Sequence, residues 1–486
     1  MESIVAVSTP PGTGGIAVVR LSGDDAFEIA AKIWHGTSLA DSHTHTTHLG
    51  EIIDLEGNMI DQALATVFHE GRSFTGENTV ELSLHGSPWL QREVVNLLIK
   101  AGASAATPGE FTRRAFLNGR IDLTQAEGVA DIIAASSKAA ATLASRQLKG
   151  SFSDKFNTLR ENLIELASLM ELELDFSEEE VEFADRSRLL RICAETLNEI
   201  HTLTKSFRTG KALRDGVAVV IAGIPNAGKS TLLNALIGEE KAIVSDIPGT
   251  TRDIIEDTAE INGILFRFYD TAGLRADHET SDTIERIGIE RAKERIAKAD
   301  ILMRIFDSTQ PYAPQLEELE AIREIISPET TVIDILNKTD LLPCISTFPI
   351  MPEGGNIPMQ NAQSAPAATS GEGNNDLTPR YLNAPMVISA KKGEGISDLE
   401  KVLTEIATKG RNIAQETLLT NARHYESLLK AGESLKRVQE GLKASLPTDL
   451  TTQDLREAIH HLSSITGSIT SDTLLQTIFS RFCIGK

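Results

Sequence analysis

The stretch GIPNAGKST at residues 223–231 constrains the fold of this chain more than any other feature. It fits the pattern G-x-x-x-x-G-K-[ST], whose backbone N–H groups surround phosphate oxygens while the lysine reaches the outer phosphates and the hydroxyl binds Mg²⁺. An apolar run at 217–222 precedes it and a helix-like TLLNALIG follows it. Because this strand–loop–helix order is the context in which the pattern binds nucleotides, the sequence predicts a phosphate site on a covered sheet.

Three further motifs follow in the order expected of a guanine-nucleotide site, each after a strand-like run. DTAG at 270–273 supplies an aspartate that acts on Mg²⁺ through water and a glycine N–H for the γ-phosphate. In NKTD at 337–340, Asp340 can accept both N–H groups on the guanine edge, which adenine cannot match. A backbone N–H of SAK at 389–391 can meet the guanine O6. Together the four motifs predict a GTP site.

The residue after DTAG raises the question of how GTP is hydrolysed. Ras-like enzymes orient the attacking water with a glutamine there, but this chain has Leu274. Charge on the transferring phosphoryl group still needs a nearby cation. Arg252 in GTTRD is one candidate, as an arginine finger in cis; the other is a monovalent cation held by the Asn226 amide and by carbonyls of the loop 245–253. A plain hydrogen bond that stabilises the loop is the alternative role for Asn226, and the residues alone leave these choices open.

Apolar periodicity divides the chain into regions. Residues 1–119 alternate short strand-like runs with one helix-like segment, which predicts a small α+β domain. Two later regions carry apolar residues at alternating steps of four and three, which is typical of amphipathic helices. Their stripes predict one helical bundle built from both regions. The stripe residues are Phe152, Phe156, Leu159, Leu163, Leu166 and Met170 in the first and Leu428, Ala431, Leu435, Val438, Leu442, Leu455, Ile459 and Leu462 in the second.

Between the two helical regions, strand-like and helix-like segments alternate, which predicts a sheet covered on both faces. The predicted fold class is therefore multidomain α/β plus α, with a Ras-like P-loop G domain inserted into a discontinuous helical bundle. Weak periodicity at 343–385 indicates a surface insertion within the G domain. The predicted boundaries are 1–119 for the N-terminal domain, 120–213 and 409–486 for the bundle, and 214–408 for the G domain.

Composition indicates a cytoplasmic protein. The longest apolar run, 217–224, is too short to span a membrane, and the first residues, MESIVAVSTPPG, lack the basic start of an export signal. The three cysteines, which lie far apart, predict neither a disulfide framework nor a zinc site. A formal net charge of −22 argues against avid nonspecific binding of nucleic acid. We therefore expect a partner to supply much of the contact with any RNA.

Longer stretches resemble the bacterial and organellar MnmE (TrmE) family of tRNA modification GTPases. They are GIPNAGKSTLLNAL, DIPGTTRD, DTAGLR, ERIGIERA and the terminal FCIGK, together with TPPGTGGIAVVRLSG, SFTGENTVELSLHG and PGEFTRRAFLNGRIDLTQAEGVADII nearer the N-terminus. The likeness covers nearly the whole chain apart from 343–385. It implies a potassium-dependent GTP hydrolase that works with an FAD-dependent partner of the MnmG (GidA) type. Together they would add a carboxymethylaminomethyl, or aminomethyl-type, group to C5 of the wobble uridine of certain tRNAs, using a one-carbon unit from a 5-formyl or 5,10-methylene tetrahydrofolate.

The resemblance also implies roles for named residues. It favours K⁺ over an arginine finger, which leaves Arg252 a structural role, and it makes hydrolysis depend on two G domains that meet face to face. Glu285, just before RIGIERA, would orient the water, with Glu279 as the weaker candidate because LRADHETSDTIE is a few residues longer than the family's usual segment. The implied catalytic residues are Glu285, Asn226 and Lys229; the K⁺ ligands are Asn226, Ser245, Ile247 and Thr250; the Mg²⁺ ligands are Ser230 and Thr251. The implied GTP contacts are Asn226, Ala227, Gly228, Lys229, Ser230, Thr231, Ser245, Asp246, Ile247, Pro248, Gly249, Thr250, Thr251, Asp270, Thr271, Ala272, Gly273, Asn337, Lys338, Asp340, Ser389, Ala390 and Lys391.

The N-terminal domain resembles folate-binding one-carbon modules and would also carry a constitutive homodimer contact. A glutamate suits the donors on a pterin edge, and cations suit the glutamyl carboxylates of a folate. Cys483 would lie beside that pocket if the tail folds back, although a buried apolar position is the commoner one for a cysteine. The implied folate contacts are Arg20, Glu81, Arg120 and Lys486.

The implied partners are a second copy of the chain, the MnmG-type protein in a heterotetramer, and tRNA held largely by that protein. The alternative is a regulatory ribosome-assembly GTPase that binds RNA without modifying it. That class often carries a second G domain or an appended RNA-binding module. This sequence contains one set of G-domain motifs and no recognisable RNA-binding module, which favours the first interpretation.

Overall fold

The computed structural model of the chain describes residues 2–175, 186–241, 256–270, 297–323, 325–342, 380–382, 384–444, 446–480 and 482–485. The chain groups into two compact units. The first, called the N-terminal and helical unit, consists of Met1–Ala134, Ala144–Thr204 and Ala422–Lys486. The second, called the G unit, consists of Ala135–Leu143 and Lys205–Asn421.

Fourteen strands and thirteen helices lie within the described ranges. The strands are β1 Ile4–Val7, β2 Ile16–Ser22, β3 Trp34–His35, β4 Thr46–Ile53, β5 Met59–Phe68, β6 Thr79–His85, β7 Ser104–Ala105, β8 Val217–Gly223, β9 Glu256–Ile261, β10 Ile264–Asp270, β11 Ile301–Asp307, β12 Thr331–Asn337, β13 Arg380–Tyr381 and β14 Met386–Val387. The helices are α1 Ala26–Ala31, α2 Pro88–Lys100, α3 Glu110–Leu117, α4 Leu123–Ala134, α5 Lys138–Leu148, α6 Ser151–Asp175, α7 Arg186–Asp215, α8 Lys229–Lys241, α9 Tyr312–Arg323, α10 Ile396–Thr408, α11 Ala422–Lys443, α12 Thr448–Thr466 and α13 Asp472–Phe479.

The N-terminal sheet has the strand order β3-β4-β5-β6-β2-β1-β7. Its neighbouring strands are antiparallel except for the parallel pair β1 and β7. Because side chains alternate along a strand, one side of the sheet buries an apolar set against α1 and α2. The opposite side is less buried and is called the open face. Its central residues are Val18, Arg20, Leu64, Glu81, Ser83 and His85.

The helices of the first unit bury the predicted apolar stripes. All six stripe residues between 152 and 170 are buried on α6, and seven of the eight between 428 and 462 are buried on α11 and α12. Ile459 is only partly buried, and Ala458 takes the fully buried place beside it. The predicted helical rhythm is therefore correct, with a shift of one residue at this point.

A buried ion pair ties α4 to α11. Arg423 donates to Glu127 from Nε at 2.9 Å and from Nη2 at 3.0 Å, and it also donates to the carbonyl oxygens of Ser464 and Ile465 near the end of α12. The fully buried His424 lies with Nε2 2.6 Å from the same carboxylate. Burial alone raises the pKa of Glu127, but His424 and Arg423 beside it hold the pKa at about 2. Burial lowers the pKa of His424, against the opposite effect of the Glu127 carboxylate beside it.

The G unit is built on a second sheet with the order β13-β12-β11-β8-β10-β9, and β14 also pairs with β12. The strands β8, β10, β11 and β12 run parallel, whereas β9 is antiparallel to β10. Alternate residues of β8 enter two different apolar clusters, so both faces of the sheet are covered, as predicted. The loops that follow parallel strands meet at one edge, where ligands bind in open α/β sheets.

The G unit also takes in part of α5. Ala139 and Leu143 lie in its apolar core, and the backbone N of Ala139 donates to the carbonyl oxygen of Gly263 at 2.8 Å. The α+β sheet, the helices and the parallel sheet confirm the predicted fold class, while the domain boundaries stay predictions. Of the helices in the described ranges, none has the length and apolar character needed to cross a membrane.

Candidate functional site: a nucleotide site and a one-carbon site

Two glycines of the phosphate loop are required by close packing. Gly223 ends β8, and a Cβ added there would lie 2.7 Å from the carbonyl oxygen of Ile305. Gly228 has a positive φ of 95°, and an added Cβ would lie 2.3 Å from Nδ2 of Asn337. Any side chain at either position would push neighbouring strands or loops away. The motif therefore needs glycine at both ends for packing as well as for access by phosphate.

The first turn of α8 carries the polar groups of the loop. The Lys229 ammonium donates to the carbonyl oxygens of Gly223 at 2.9 Å and Ile224 at 3.1 Å, which holds it within the loop. Ser230 and Thr231 follow with exposed side chains. A helix N-terminus presents free N–H groups and a positive dipole end, so this turn is suited to phosphate oxygens.

Asn226 lies at the exposed tip of the loop with a positive φ of 62°. Asparagine adopts this left-handed conformation more readily than most residues, which gives its presence a backbone reason that the sequence did not reveal. Among the residues that the structure describes, none forms a hydrogen bond with its amide. Within the described residues the amide is therefore not engaged in a loop hydrogen bond, and both roles that the sequence allows for it stay predictions.

Asn337 of NKTD connects three of the motifs. Its Nδ2 donates to the carbonyl oxygen of Ala227 at 2.9 Å, and its Oδ1 accepts from the backbone N of Ala390 at 3.0 Å. The side chain is buried. The structure thus brings the phosphate loop, NKTD and SAK together at one edge of the sheet, as the sequence predicts.

The remaining base-recognition groups surround this contact. Asp340 Oδ1 accepts from the Ser389 hydroxyl at 2.8 Å, which orients the carboxylate. Lys338 has a positive φ of 65°, and its ammonium lies 2.7 Å from Asp307 Oδ2. Asp270, as the last residue of β10, lies opposite Ile221 of β8 and so at the same edge of the sheet.

Asp307 is a site residue that no sequence motif indicates. Its side chain is buried at the end of β11, where Thr309 donates to Oδ1 from both N and Oγ1. Burial raises the pKa of this carboxyl, but the hydrogen bonds from Lys338 and Thr309 bring the pKa below its usual value. The ionised Asp307 holds the lysine of NKTD in place. In the sequence, Asp307 appears only as an aspartate after an apolar run, and this pattern is too common to mark a functional residue.

On the open face of the N-terminal sheet, Arg20 and Glu81 are partners across β2 and β6. Arg20 Nε donates to Glu81 Oε1 at 2.8 Å. The guanidinium carbon lies 5.5 Å from the ring centre of Phe111 and 5.8 Å from that of Phe74. This arrangement fixes the position of the two predicted folate residues beside two aromatic rings.

Arg120 borders the loop that contains Phe74. An added Cβ on Gly76 would lie 3.2 Å from the Cγ of Arg120, whose side chain is exposed. The loop itself is held by a buried network in which Glu77 accepts from Arg114 at 3.1 Å. The structure therefore places Arg20, Glu81 and Arg120 around one loop.

The C-terminal tail folds back onto the first strand, which is the condition for the predicted position of Cys483. The Ser8 hydroxyl donates to the carbonyl oxygen of Gly485 at 3.1 Å, and Gly109 N donates to the carbonyl oxygen of Cys483 at 3.3 Å. A Cβ on Gly485 would lie 2.1 Å from the carbonyl oxygen of Val7. Cys483 itself is exposed, so the expectation of a buried position is wrong. Its backbone packs while its side chain faces outwards.

Comparison with known proteins decides the family. A family model described as the MnmE helical domain matches residues 123–483, and one described as the GTP-binding protein TrmE N-terminus matches residues 3–120. A protein named tRNA modification GTPase MnmE from Christiangramia forsetii is 44% identical over 494 positions, which cover 100% of this chain and 99% of that protein. The chain belongs to the MnmE (TrmE) family of tRNA modification GTPases.

Two further comparisons differ in how similar the compared protein is to this chain. The MnmE of Porphyromonas gingivalis is 46% identical to this chain. The aligned positions cover 100% of this chain and 98% of the Porphyromonas protein. The solved structure of Aquifex aeolicus Era Y63A bound to GDP and AlF4⁻ shares 23% identity over 45% of this chain and 65% of that one, with a TM-score of 0.25, a likeness too weak to support an inference. Membership of the MnmE family confirms the predicted family and the predicted enzyme class.

Several residues that were named from the sequence motifs or from the MnmE resemblance lie outside the described residues. They are Ser245, Asp246, Ile247, Pro248, Gly249, Thr250, Thr251, Arg252, Thr271, Ala272, Gly273, Leu274, Glu279, Glu285 and Lys486. Their roles stay predictions. The described part of the nucleotide site therefore consists of the phosphate loop, the end of β10 and the two base-recognition loops.

Proposed function

We propose that this chain is a potassium-dependent GTP hydrolase that acts with an FAD-dependent MnmG-type protein to place an aminomethyl-type group, such as carboxymethylaminomethyl, on C5 of wobble uridine. Membership of the MnmE family supports the tRNA modification. The observation that carries the GTP hydrolase is the double hydrogen bond of Asn337, which ties Ala227 of the phosphate loop to Ala390 of the base loop. A site assembled in this way binds phosphate and guanine as one ligand.

Each described residue has a definite task in GTP hydrolysis. Lys229 moves from the loop carbonyls to the β- and γ-phosphate oxygens, and the N–H groups of the first turn of α8 bind the same phosphates. Asp340, oriented by Ser389, accepts from the guanine edge. Two oxygens fit metal ions: the exposed Ser230 hydroxyl suits Mg²⁺, and the exposed Asn226 amide suits K⁺. Bound there, the ions would supply positive charge at the transferring phosphoryl group.

The potassium site rests on Asn226 in this proposal. The left-handed backbone at Asn226 turns an uncharged oxygen outwards from the phosphate loop, where no arginine of the described residues pairs with it. The other proposed ligands are Ser245, Ile247 and Thr250, with Glu285 as the residue that orients water. Face-to-face pairing of two G domains would complete the cation's surroundings.

The one-carbon site is proposed at Arg20, Glu81 and Arg120, with Lys486. Glu81 supplies a carboxylate for the donor edge of a pterin, while the exposed ring of Phe74 supplies apolar contact nearby. Arg120 is an exposed cation that suits a carboxylate of the folate. This chemistry fits a reduced folate such as the 5-formyl or 5,10-methylene form.

A homodimer is proposed through strand β4 of the N-terminal sheet. Leu49 lies on β4 and is exposed. An exposed apolar residue on such a strand suits a self-complementary two-fold contact. The net charge of −22 supports an assembly in which the MnmG-type protein holds most of the tRNA, and the cytoplasm is its proposed location.

Nucleoside analysis of tRNA tests the proposal. A strain that lacks the chain should lose the wobble-uridine modification, and the wild-type chain should restore it. K229A should fail to restore it, because the phosphates lose their cation. N234A, which changes an exposed residue of α8, is the control and should restore it. Normal modification in the deletion strain, together with a ribosome-subunit defect, would contradict the proposal.

A further inference from the structure

Asp61 and His85 form a pair that none of the nucleotide or folate contacts includes. Oδ1 of Asp61 lies 2.7 Å from Nδ1 of His85, and Oδ2 accepts from the backbone N of His85 at 3.0 Å. The Asp61 side chain is 8% exposed, whereas the imidazole is 72% exposed. Within the described residues, the hydrogen bonds to Asp61 come from His85 alone. A buried carboxylate is thus dedicated to one exposed ring.

The two contacts of Asp61 with His85 exceed what the end of strand β6 requires. A buried carboxylate is unfavourable unless its hydrogen bonds compensate for the lost water. The backbone N–H of His85 requires only one acceptor, which an uncharged side chain could supply. The second oxygen of Asp61 fixes the ring, because a carboxylate acceptor keeps the proton on Nδ1 and leaves Nε2 as a proton acceptor. Catalytic histidines of hydrolase triads are held in the same manner.

His85 also lies on the proposed folate surface. It is four residues from Glu81 on the open face of β6, a separation of about 13 Å along a strand. Between them lies Ser83, whose cross-strand partners are Val18 and Leu64. These small or apolar side chains form a floor between two polar ends. A flat heterocycle can lie on such a floor, with one edge at Glu81 and the opposite edge towards His85.

We propose that His85 is an acid–base residue of the one-carbon site and that Asp61 is its positioning residue. The inference rests on the folate function proposed above. When Glu81 binds the donor edge of the pterin, the opposite edge, which carries the one-carbon unit, faces Nε2 of His85. This places a proton acceptor of fixed tautomer at the reacting carbon.

The proton balance of the step is simple. Nε2 of His85 accepts one proton from the ammonium group of an amine substrate. The freed lone pair on the amine nitrogen forms a bond to the methylene carbon of the folate. The bond from that carbon to N10 breaks with its electron pair on N10, and N10 takes a second proton from the attacking nitrogen. No oxidant or reductant takes part.

The test compares H85Q and D61N with H35Q in the full chain. His35 is a matched control, because it is also an exposed histidine beside a carboxylate, with Nδ1 3.3 Å from Glu51. Affinity for 5-formyl tetrahydrofolate is measured first by calorimetry, followed by the tRNA modification rate with the MnmG-type protein. In protein labelled with ¹⁵N-histidine, the ring nitrogens are observed by NMR during folate addition.

H85Q should lower kcat about a hundredfold or more while folate affinity stays within about threefold. D61N should lower kcat less and change its pH profile, and H35Q should match the wild type. Folate should shift the His85 ring resonances but not those of His35. A kcat of H85Q near the wild-type value, unmoved His85 resonances, or a shared loss of thermal stability and folate binding in both variants would overturn the assignment. Absence of folate binding by the wild type would instead show that the proposed folate function has failed.

Discussion

The side-chain amide of Asn337 donates to the carbonyl oxygen of Ala227 at 2.9 Å. The guanine-recognition motif is therefore bonded directly to the phosphate loop, and the oxygen of the same amide accepts from Ala390. Because Asn337 is buried, water cannot replace it as a partner for either group. Base recognition and phosphate binding consequently depend on one side chain.

N337A should weaken nucleotide binding. It leaves the carbonyl of Ala227 and the N–H of Ala390 buried without a partner, an effect of about 1–3 kcal/mol, or about fivefold to about 150-fold in affinity. Titration with a fluorescent GDP analogue measures the change, with N234A as the control. Affinity of N337A within about twofold of the wild type would show that the bridge is not needed.

N226G should separate the two reasons for asparagine at this position. Glycine keeps the positive φ of 62° without strain but removes the amide oxygen. We expect N226G to bind GDP as the wild type does and to lose the stimulation of GTP hydrolysis by K⁺. N226A should lose the stimulation and also be strained by about 1–2 kcal/mol. If N226G retains the stimulation, Asn226 serves the backbone conformation only.

G485A should detach the C-terminal tail. The added methyl group would lie 2.1 Å from the carbonyl oxygen of Val7, and the backbone at this glycine has a positive φ of 93°. Because the tail lies against the strand that pairs with β2, we expect affinity for 5-formyl tetrahydrofolate to fall about tenfold or more. I484A, which changes an exposed neighbour, is the control. Unchanged calorimetric affinity in G485A would separate the tail from the one-carbon site.

The pair of Glu127 and Arg423 should make stability depend on pH in acid. The pKa of Glu127 is about 2 in the folded chain, whereas its ordinary value is 4.5. Between pH 2 and pH 4.5 the unfolded chain therefore binds more protons than the folded chain. The pair therefore stabilises the fold fully above pH 4.5 and loses about 3 kcal/mol as pH falls towards 2. The pKa of His424 is also lowered, so destabilisation begins below about pH 6.5.

Scanning calorimetry of E127Q tests this pH dependence. The variant should melt several degrees lower than the wild type at pH 7, because the half-buried guanidinium of Arg423 loses the charge of the Glu127 carboxylate. Its melting temperature should also fall less steeply in acid. R188A breaks an exposed pair with Glu165 and serves as the control. Parallel acid curves for E127Q and the wild type would exclude Glu127 as the source.

The sequence predicted those features that depend on local spacing. The helical stripes and the four nucleotide motifs repeat at intervals fixed by helix and strand geometry, so they could be located without coordinates. Ala458 is buried in the core where the periodicity predicts Ile459, because local packing decides between neighbouring positions that periodicity does not distinguish.

Long-range contacts could not be predicted in the same way. The bond between Asp307 and Lys338 joins residues 31 positions apart, and the contact of Ser8 with Gly485 joins residues 477 apart. Neither residue pair carries a spacing signal, because tertiary packing alone brings them together. The exposure of Cys483 likewise depends on how the tail docks.

We propose that a cation held by uncharged oxygens replaces an arginine in GTP hydrolysis. The most direct measurement is the GTPase rate of the full chain at equal ionic strength in KCl and in NaCl. We predict a rate about tenfold or more higher in KCl, since one well-placed positive charge stabilises the transition state by more than 1.4 kcal/mol. Equal rates in the two salts would contradict the account.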